Sequence, residues 1–184
     1  MSTRGSSLRL FVGLYPDPRI SDVLGTLSSD VDLGPLRLTP PGQVHLTACF
    51  IGERSARDLP DVEESVERSV SGLASFSIQP LAMRTLPRRG RARTLVVETD
   101  RPTPLLDIHE RLIRRLARHP HPDARNRFLP HLTIARFHPP GASAALEQPV
   151  DTPPFPIEDV RLMRSVLHPD GARHDVIRTF PLDG

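Results

Sequence analysis

Val44-His45-Leu46-Thr47-Ala48-Cys49-Phe50-Ile51 and His131-Leu132-Thr133-Ile134-Ala135-Arg136-Phe137 share the tripeptide His-Leu-Thr in an apolar, β-type setting. Alternate residues of a strand point to one face, about 6.5–7 Å apart along the chain. Each copy therefore sets an imidazole beside a hydroxyl and turns its leucine to the opposite face. Two such pairs brought together supply two proton-transfer groups and two hydrogen-bond donors around one anion. That set suits general acid–base chemistry on a phosphate. Composition alone predicts roughly 0.06 copies of the tripeptide, so two copies call for a cause.

The surroundings repeat as well. Pro16-Asp17-Pro18 begins 29 positions before His45, and Pro102-Thr103-Pro104 begins 29 positions before His131. An apolar stretch precedes each, Leu8 to Tyr15 and Thr94 to Thr99. Helical spacing follows each, with Ile20, Val23, Leu24 and Leu27 in one copy and Leu105, Ile108, Leu112, Ile113 and Leu116 in the other. Proline suits the first helical turn, where its missing N–H has no partner to lose. These features predict an internal duplication of a strand–helix–strand unit, offset by 86 positions.

Read in order, the chain predicts a strand at 8–15, a helix at 18–29, an extended piece at 36–39 and the first motif strand at 43–51. Leu59, Val62, Val66, Val70 and Leu73 mark a second helix. Strands at 75–84 and 93–99, a helix at 104–118 and the second motif strand at 130–137 follow. The stretch 138–156, rich in Pro, Ala and Gly, reads as a surface connection. Strands at 157–168 and 173–181 read as a hairpin turned at Pro169-Asp170-Gly171. Helices interspersed with hairpins predict the α+β class, and 184 residues suit one domain spanning 1–184.

Composition excludes several chemistries. All 24 basic side chains are arginine, so there is no Walker A lysine, no Schiff base and no adenylated-lysine intermediate. There is no apolar run long enough for a transmembrane helix, which predicts a chain independent of membranes. The lone Cys49 excludes an internal disulfide, reads as a small buried apolar residue and fits a reducing cytoplasm. The spacing of His45 and Thr47 is not that of a zinc site, and His109-Glu110 lacks a second histidine, so no metal and no cofactor is expected. His119 and His121 read as solvated turn residues, and His138, His168 and His174 as surface or packing residues. Arg84, Arg88, Arg89, Arg91 and Arg93 cluster around Gly90, either as a solvated hairpin loop or as an RNA-backbone contact.

With these residues in view the chain resembles the 2H phosphoesterase superfamily, and within it the RNA 2′,3′-cyclic phosphodiesterases, also called 2′-5′ RNA ligases. Arg9-Leu10-Phe11-Val12-Gly13-Leu14 is similar to the family's opening strand, and Pro41 through Gly52 to its first motif strand. Phe128 through Arg136 is similar to the second. Ser165-Val166-Leu167-His168-Pro169-Asp170-Gly171-Ala172-Arg173, followed by Phe180-Pro181-Leu182, is similar to its closing hairpin. Leu129 departs from the Arg or Lys of many relatives, and Leu38 from an aromatic.

The resemblance implies a bilobal, pseudo-twofold α+β fold, with duplicated units and antiparallel sheets around a central cleft, the two lobes intertwined in a single domain. It implies hydrolysis of an RNA or nucleoside 2′,3′-cyclic phosphate to a 2′-phosphate, without a metal, and with ATP-independent 2′-5′ ligation as a possible reverse. His45 is then the proton donor and His131 the proton acceptor, a direction that residue types alone leave open. Thr47 and Thr133 bind the phosphate. Arg136 either contacts substrate or makes a structural ion pair. The partners implied are RNA or nucleotide 2′,3′-cyclic phosphate ends, acted on by a monomer with no obligate protein partner. Two other readings stay open: a non-catalytic RNA-end binding module, and a 2H phosphodiesterase acting on ADP-ribose cyclic phosphate or 2′-5′ oligoadenylate.

Overall fold

The computed structural model describes residues 7–31, 34–117, 124–138, 146–168 and 171–184. Its strands are β1 (Ser7–Leu14), β2 (Leu36–Leu38), β3 (Leu46–Ser55), β4 (Phe76–Ile78), β5 (Pro80–Leu86), β6 (Thr94–Thr99), β7 (His131–Phe137), β8 (Glu147–Pro149), β9 (Phe155–Ile157), β10 (Asp159–His168) and β11 (Gly171–Pro181). Its helices are α1 (Pro18–Thr26), α2 (Leu59–Val70), α3 (Thr103–Leu116) and the single turn α4 (Ala124–Arg127). Among the described residues nine strands form one sheet in the order β11-β10-β1-β3-β7-β6-β5-β8, with β2 added beside β7. Every strand pairing in it is antiparallel. The α+β architecture therefore stands as predicted.

The duplication is visible in this order. β1, α1 and β3 make one strand–helix–strand unit, and β6, α3 and β7 make the other. Asp17 caps α1 by accepting from the Arg19 N–H at 2.8 Å, with Pro18 in the first turn; Pro104 holds the equivalent place in α3. The two motif strands pair at Leu46 opposite Leu132, and β2 of the first half adds three further pairs with β7. Both leucines are essentially inaccessible to solvent and lie in the main core with Leu105, Ile108 and Leu112 of α3. The helices are exchanged between units: α3 packs on β3, and α1 on β7. Buried His109 of α3 marks the crossing, its Nδ1 donating to the Ala48 carbonyl of β3 at 2.7 Å while its ring stacks on Phe128.

Matching irregularities follow both motifs. In the pairing of β3 with β1, Thr47 faces Gly13 and Cys49 faces Val12, so Ala48 is an extra residue; in β7 against β6, Ile134 is extra. Such a bulge turns two successive side chains to one face. Both members of each pair, Ala48-Cys49 and Ile134-Ala135, are accordingly buried. The next residues, Phe50 and Arg136, return to the motif face.

Several boundaries differ from the sequence reading. The helix predicted to residue 29 ends at Thr26 and continues as a 3₁₀ turn, Leu27–Asp30. The strand predicted at 75–84 is two strands, and β4 leaves the main sheet to pair with β9. The surface connection predicted at 138–156 contains β8 and most of β9, although residues 139–145 lie outside the described residues. β8 was illegible because all three of its residues are exposed, which leaves no apolar alternation, and its Pro149 is tolerated only at a sheet edge. The closing hairpin forms as β10 and β11; Pro169 and Asp170 of its turn lie outside the described residues, as do His119 and His121.

Because Leu132 is fully buried where the two motif strands pair, its packing carries weight. Leu132→Ala is expected to cost roughly 2–5 kcal/mol of unfolding free energy. A urea titration followed by circular dichroism measures it; a change below about 1 kcal/mol would show that the halves are held together elsewhere.

Candidate active site

The leucines of the two motifs point into the core, so His45, Thr47, His131 and Thr133 share the opposite face. Antiparallel register about Leu46 and Leu132 sets His45 across from Thr133 and Thr47 across from His131. All four side chains are partly exposed.

Each imidazole is oriented in the same way. His45 Nδ1 lies 2.7 Å from the Gln43 carbonyl, and His131 Nδ1 lies 2.9 Å from the Leu129 carbonyl. A carbonyl can only accept, so Nδ1 carries the hydrogen and the neutral ring keeps a lone pair on Nε2. Gln43 and Leu129 are themselves related by the duplication. Leu129 thus serves through its backbone, whatever side chain stands there.

The environments of the two histidines differ. Tyr15 stacks on His45 with centroids 5.2 Å apart, while Phe11 and His174 each lie 4.9 Å from its ring. Gly13, between Phe11 and Tyr15, leaves the space this cluster needs: a Cβ there would sit 3.1 Å from Tyr15, 3.2 Å from Phe11 and 3.5 Å from the His45 ring. Burial in this cluster pushes the His45 imidazole down to about 4. The hydrogen bond to Gln43 opposes the shift, and the charges of His174, Arg136 and His131 reinforce it. His45 is therefore neutral at pH 7 in the empty site. Burial and Arg136 also lower His174, against Asp175, and burial raises the Tyr15 phenol against the charge of Arg161, whose guanidinium lies over the ring. The Tyr15 hydroxyl and His174 Nδ1 are buried without a hydrogen-bond partner among the described residues.

His131 faces an ionic surface instead. Its partner across β6 is Glu98, whose carboxylate receives Arg84 at 2.7 Å and Arg88 at 2.9 Å. Arg84 also pairs with Glu147 of β8. Arg84, on β5, and Arg88 beyond it are thus held by carboxylates. Arg136 is exposed, makes no ion pair among the described residues, and is close enough to act on His45 and His174.

His174 is the residue that sequence reasoning missed. It was expected at the surface or in packing because it lacks a hydroxyl two residues on. The β10–β11 hairpin extends beyond its pairing with β1, which ends at Arg164, and carries His174 over His45. The hairpin end also reaches Gly171 to the guanidinium of Arg37 on β2. No local signal could have found this contact, which depends on how far the ribbon overhangs its neighbour. Cys49 behaves as expected, buried and with its thiol pushed up to about 12 by that burial. Among the described residues no three His, Cys, Asp or Glu side chains converge as a metal-binding group, and no helix is long and apolar enough to cross a membrane.

The family model of the 2′-5′ RNA ligase superfamily matches residues 35–168, more than half of the chain and both motifs. The chain belongs to the 2′-5′ RNA ligase superfamily, the 2H phosphoesterases. Two members resemble it along most of their length. An RNA 2′,3′-cyclic phosphodiesterase of Thermotoga maritima is 26% identical over 77% of this chain and 76% of its own. An RNA 2′,3′-cyclic phosphodiesterase of Thermus thermophilus is 27% identical over 96% of this chain and 91% of its own. The crystal structure of TT0787 from Thermus thermophilus superposes with a TM-score of 0.82 at 27% identity, covering 96% of this chain and 99% of that one.

In this 2H phosphoesterase the His45 ring is expected to titrate near pH 4 rather than at its ordinary 6.5, read from its Cε1–H resonance in phosphate-free solution. Between those values the unfolded chain binds the proton and the folded chain does not. Acidification through that window therefore drains stability, and His45→Gln should flatten the slope. A midpoint near 6.5 would mean that the cluster around His45 is open to water. Gly13→Val is expected to displace the ring and cut turnover at least tenfold in the folded protein; parental turnover would show that the close approach is dispensable.

Proposed function

We propose that the protein hydrolyses RNA or nucleoside 2′,3′-cyclic phosphate ends to 2′-phosphates by two-histidine acid–base catalysis. The observation that carries this reading is the matched pair of imidazoles, each tied through Nδ1 to a carbonyl two residues back, on strands that pair at the leucine between each histidine and its threonine. The names of the Thermotoga and Thermus relatives support the substrate class.

A cyclic phosphodiester is strained and needs placement more than force. His131 takes a proton from water, whose oxygen bonds to phosphorus as the P–O3′ bond breaks. His45 gives its proton to the departing O3′. Thr47 and Thr133 donate to the non-bridging oxygens, and Arg136 adds charge to the same anion. With a 5′-hydroxyl in place of water, the same steps open the cyclic phosphate at P–O3′ and leave a 2′-5′ phosphodiester without ATP, as a minor activity. No step calls on a second chain, in keeping with a monomer.

His45 must hold a proton to act as donor, yet it is neutral in the empty site. A bound phosphodiester anion reconciles the two. Its negative charge offsets the like charges of His174, Arg136 and His131 that press on the ring, and favours the protonated form. Adenosine 2′-phosphate is therefore expected to raise the His45 midpoint by at least one pH unit in an NMR titration.

Turnover tests the whole reading. His45→Ala and His131→Ala should each lower hydrolysis of adenosine 2′,3′-cyclic phosphate by 10²-fold or more while RNA binding persists. Parental rates in both variants would refute the acid–base pair. Binding without turnover by the parent would favour an RNA-end binding module. Higher kcat/KM on ADP-ribose cyclic phosphate or 2′-5′ oligoadenylate would move the substrate elsewhere in the superfamily.

A further inference from the structure

Where the main sheet sets an arginine opposite another charged residue, the partner is a carboxylate in three places among the described residues. Arg9 faces Glu53, Arg84 faces Glu147 and Arg164 faces Asp175. A fourth pair breaks the pattern: Arg37 of β2 lies directly opposite Arg136 of β7. Opposed side chains share a face, with Cβ atoms about 4.5–5.5 Å apart, and like charges in that relation destabilise a sheet. Both arginines are exposed, and neither makes an ion pair among the described residues. The fold thus holds two guanidinium groups together without an anion of its own to separate them.

The pair stands at the rim of the motif face. Ala135 and Phe137 flank Arg136 and are buried, and Leu36 beside Arg37 packs on the core, so both arginines turn the other way. The Arg37 guanidinium reaches the end of the hairpin that carries His174 over His45, 3.7 Å from where a Cβ on Gly171 would stand. Against β6, Thr133 faces Val96 and Arg136 faces Thr94, so Arg136 is two register positions further on, about 6.5–7 Å along the strand. The motif strands run antiparallel, so this step leads past His45 and away from Thr47 and His131.

A ribonucleotide chain places its charges in the same way. Neighbouring phosphates along an RNA strand are separated by a comparable distance. On the ribose C4′ adjoins C3′, so the phosphate on O5′ lies on the O3′ side of the ring. With the cyclic phosphate between the two histidines and O3′ toward His45, the O5′ phosphate falls toward Arg37 and Arg136.

We propose that Arg37, together with Arg136, forms a second anion subsite, which takes the phosphodiester on O5′ of the terminal nucleotide. The inference rests on the hydrolase reading and deepens it, because such a subsite selects the end of an RNA chain over a free nucleoside cyclic phosphate. Guanidinium forks match phosphate oxygens in pairs, and the incoming anion removes the repulsion that the empty sheet carries.

Adenosine 2′,3′-cyclic phosphate and its 5′-(methyl phosphate) ester differ only in a phosphodiester on O5′ and read the subsite directly. The parent should prefer the ester about tenfold in kcat/KM, and Arg37→Gln should erase most of that preference through KM. Equal handling of the two compounds by the parent overturns the subsite. So does an unchanged preference in Arg37→Gln, including an equal loss on both compounds. A parent that hydrolyses neither compound fails the hydrolase reading instead. Calorimetry with adenosine 2′,5′-bisphosphate and adenosine 2′-phosphate then still decides the subsite. About tenfold tighter binding of the bisphosphate by the parent, lost in Arg37→Gln, supports it; equal affinities in the parent, or a gain kept in Arg37→Gln, refute it.

Discussion

One contact organises this molecule: Leu46 of β3 opposite Leu132 of β7. It is the lone recorded pairing between the two motif strands, and it is held from the core side by the apolar faces of the helices. Burying the two leucines obliges their neighbours to face the other way, so the same force that closes the core assembles the histidines and threonines. Hydrogen bonds from Nδ1 to the chain's own carbonyls then fix both tautomers without recruiting a carboxylate.

Within that symmetric frame the chemistry is asymmetric. His45 sits among Phe11, Tyr15 and His174, where burial favours the neutral ring. His131 looks across β6 to Glu98 and the arginines that neutralise it. A catalyst that must give a proton from one side and take it on the other needs such a difference. Here it arises from residues outside the repeated tripeptide, on β1, β11, β5 and β6.

The duplicated unit was legible from sequence because its signals are local: prolines at the first helical turns, alternating apolar residues, and the constant distance to each motif. The pairing of the motifs follows from chain symmetry, and Thr47 and Thr133 follow from strand parity. What could not be read depends on register. The bulges at Ala48 and Ile134 decide which face Phe50 and Arg136 occupy, and no residue type announces a bulge. β8 has no buried face to give it a pattern. His174 reaches the site on the overhanging end of a ribbon, and Arg84 is claimed by Glu147, a residue 63 positions away. Each of these is a long-range consequence of strand alignment rather than of local preference.

The exchanged helices have a consequence for ancestry and for dissection. Since α3 packs on β3 and α1 on β7, each motif strand is supported by the helix of the other unit. A half-length chain could build this core only by trading helices with a second copy of itself, and the resulting pair would have two equal walls. Joining both units in one polypeptide frees each wall to diverge alone. Covalent linkage is thus what permits a symmetric scaffold to hold a directional reaction.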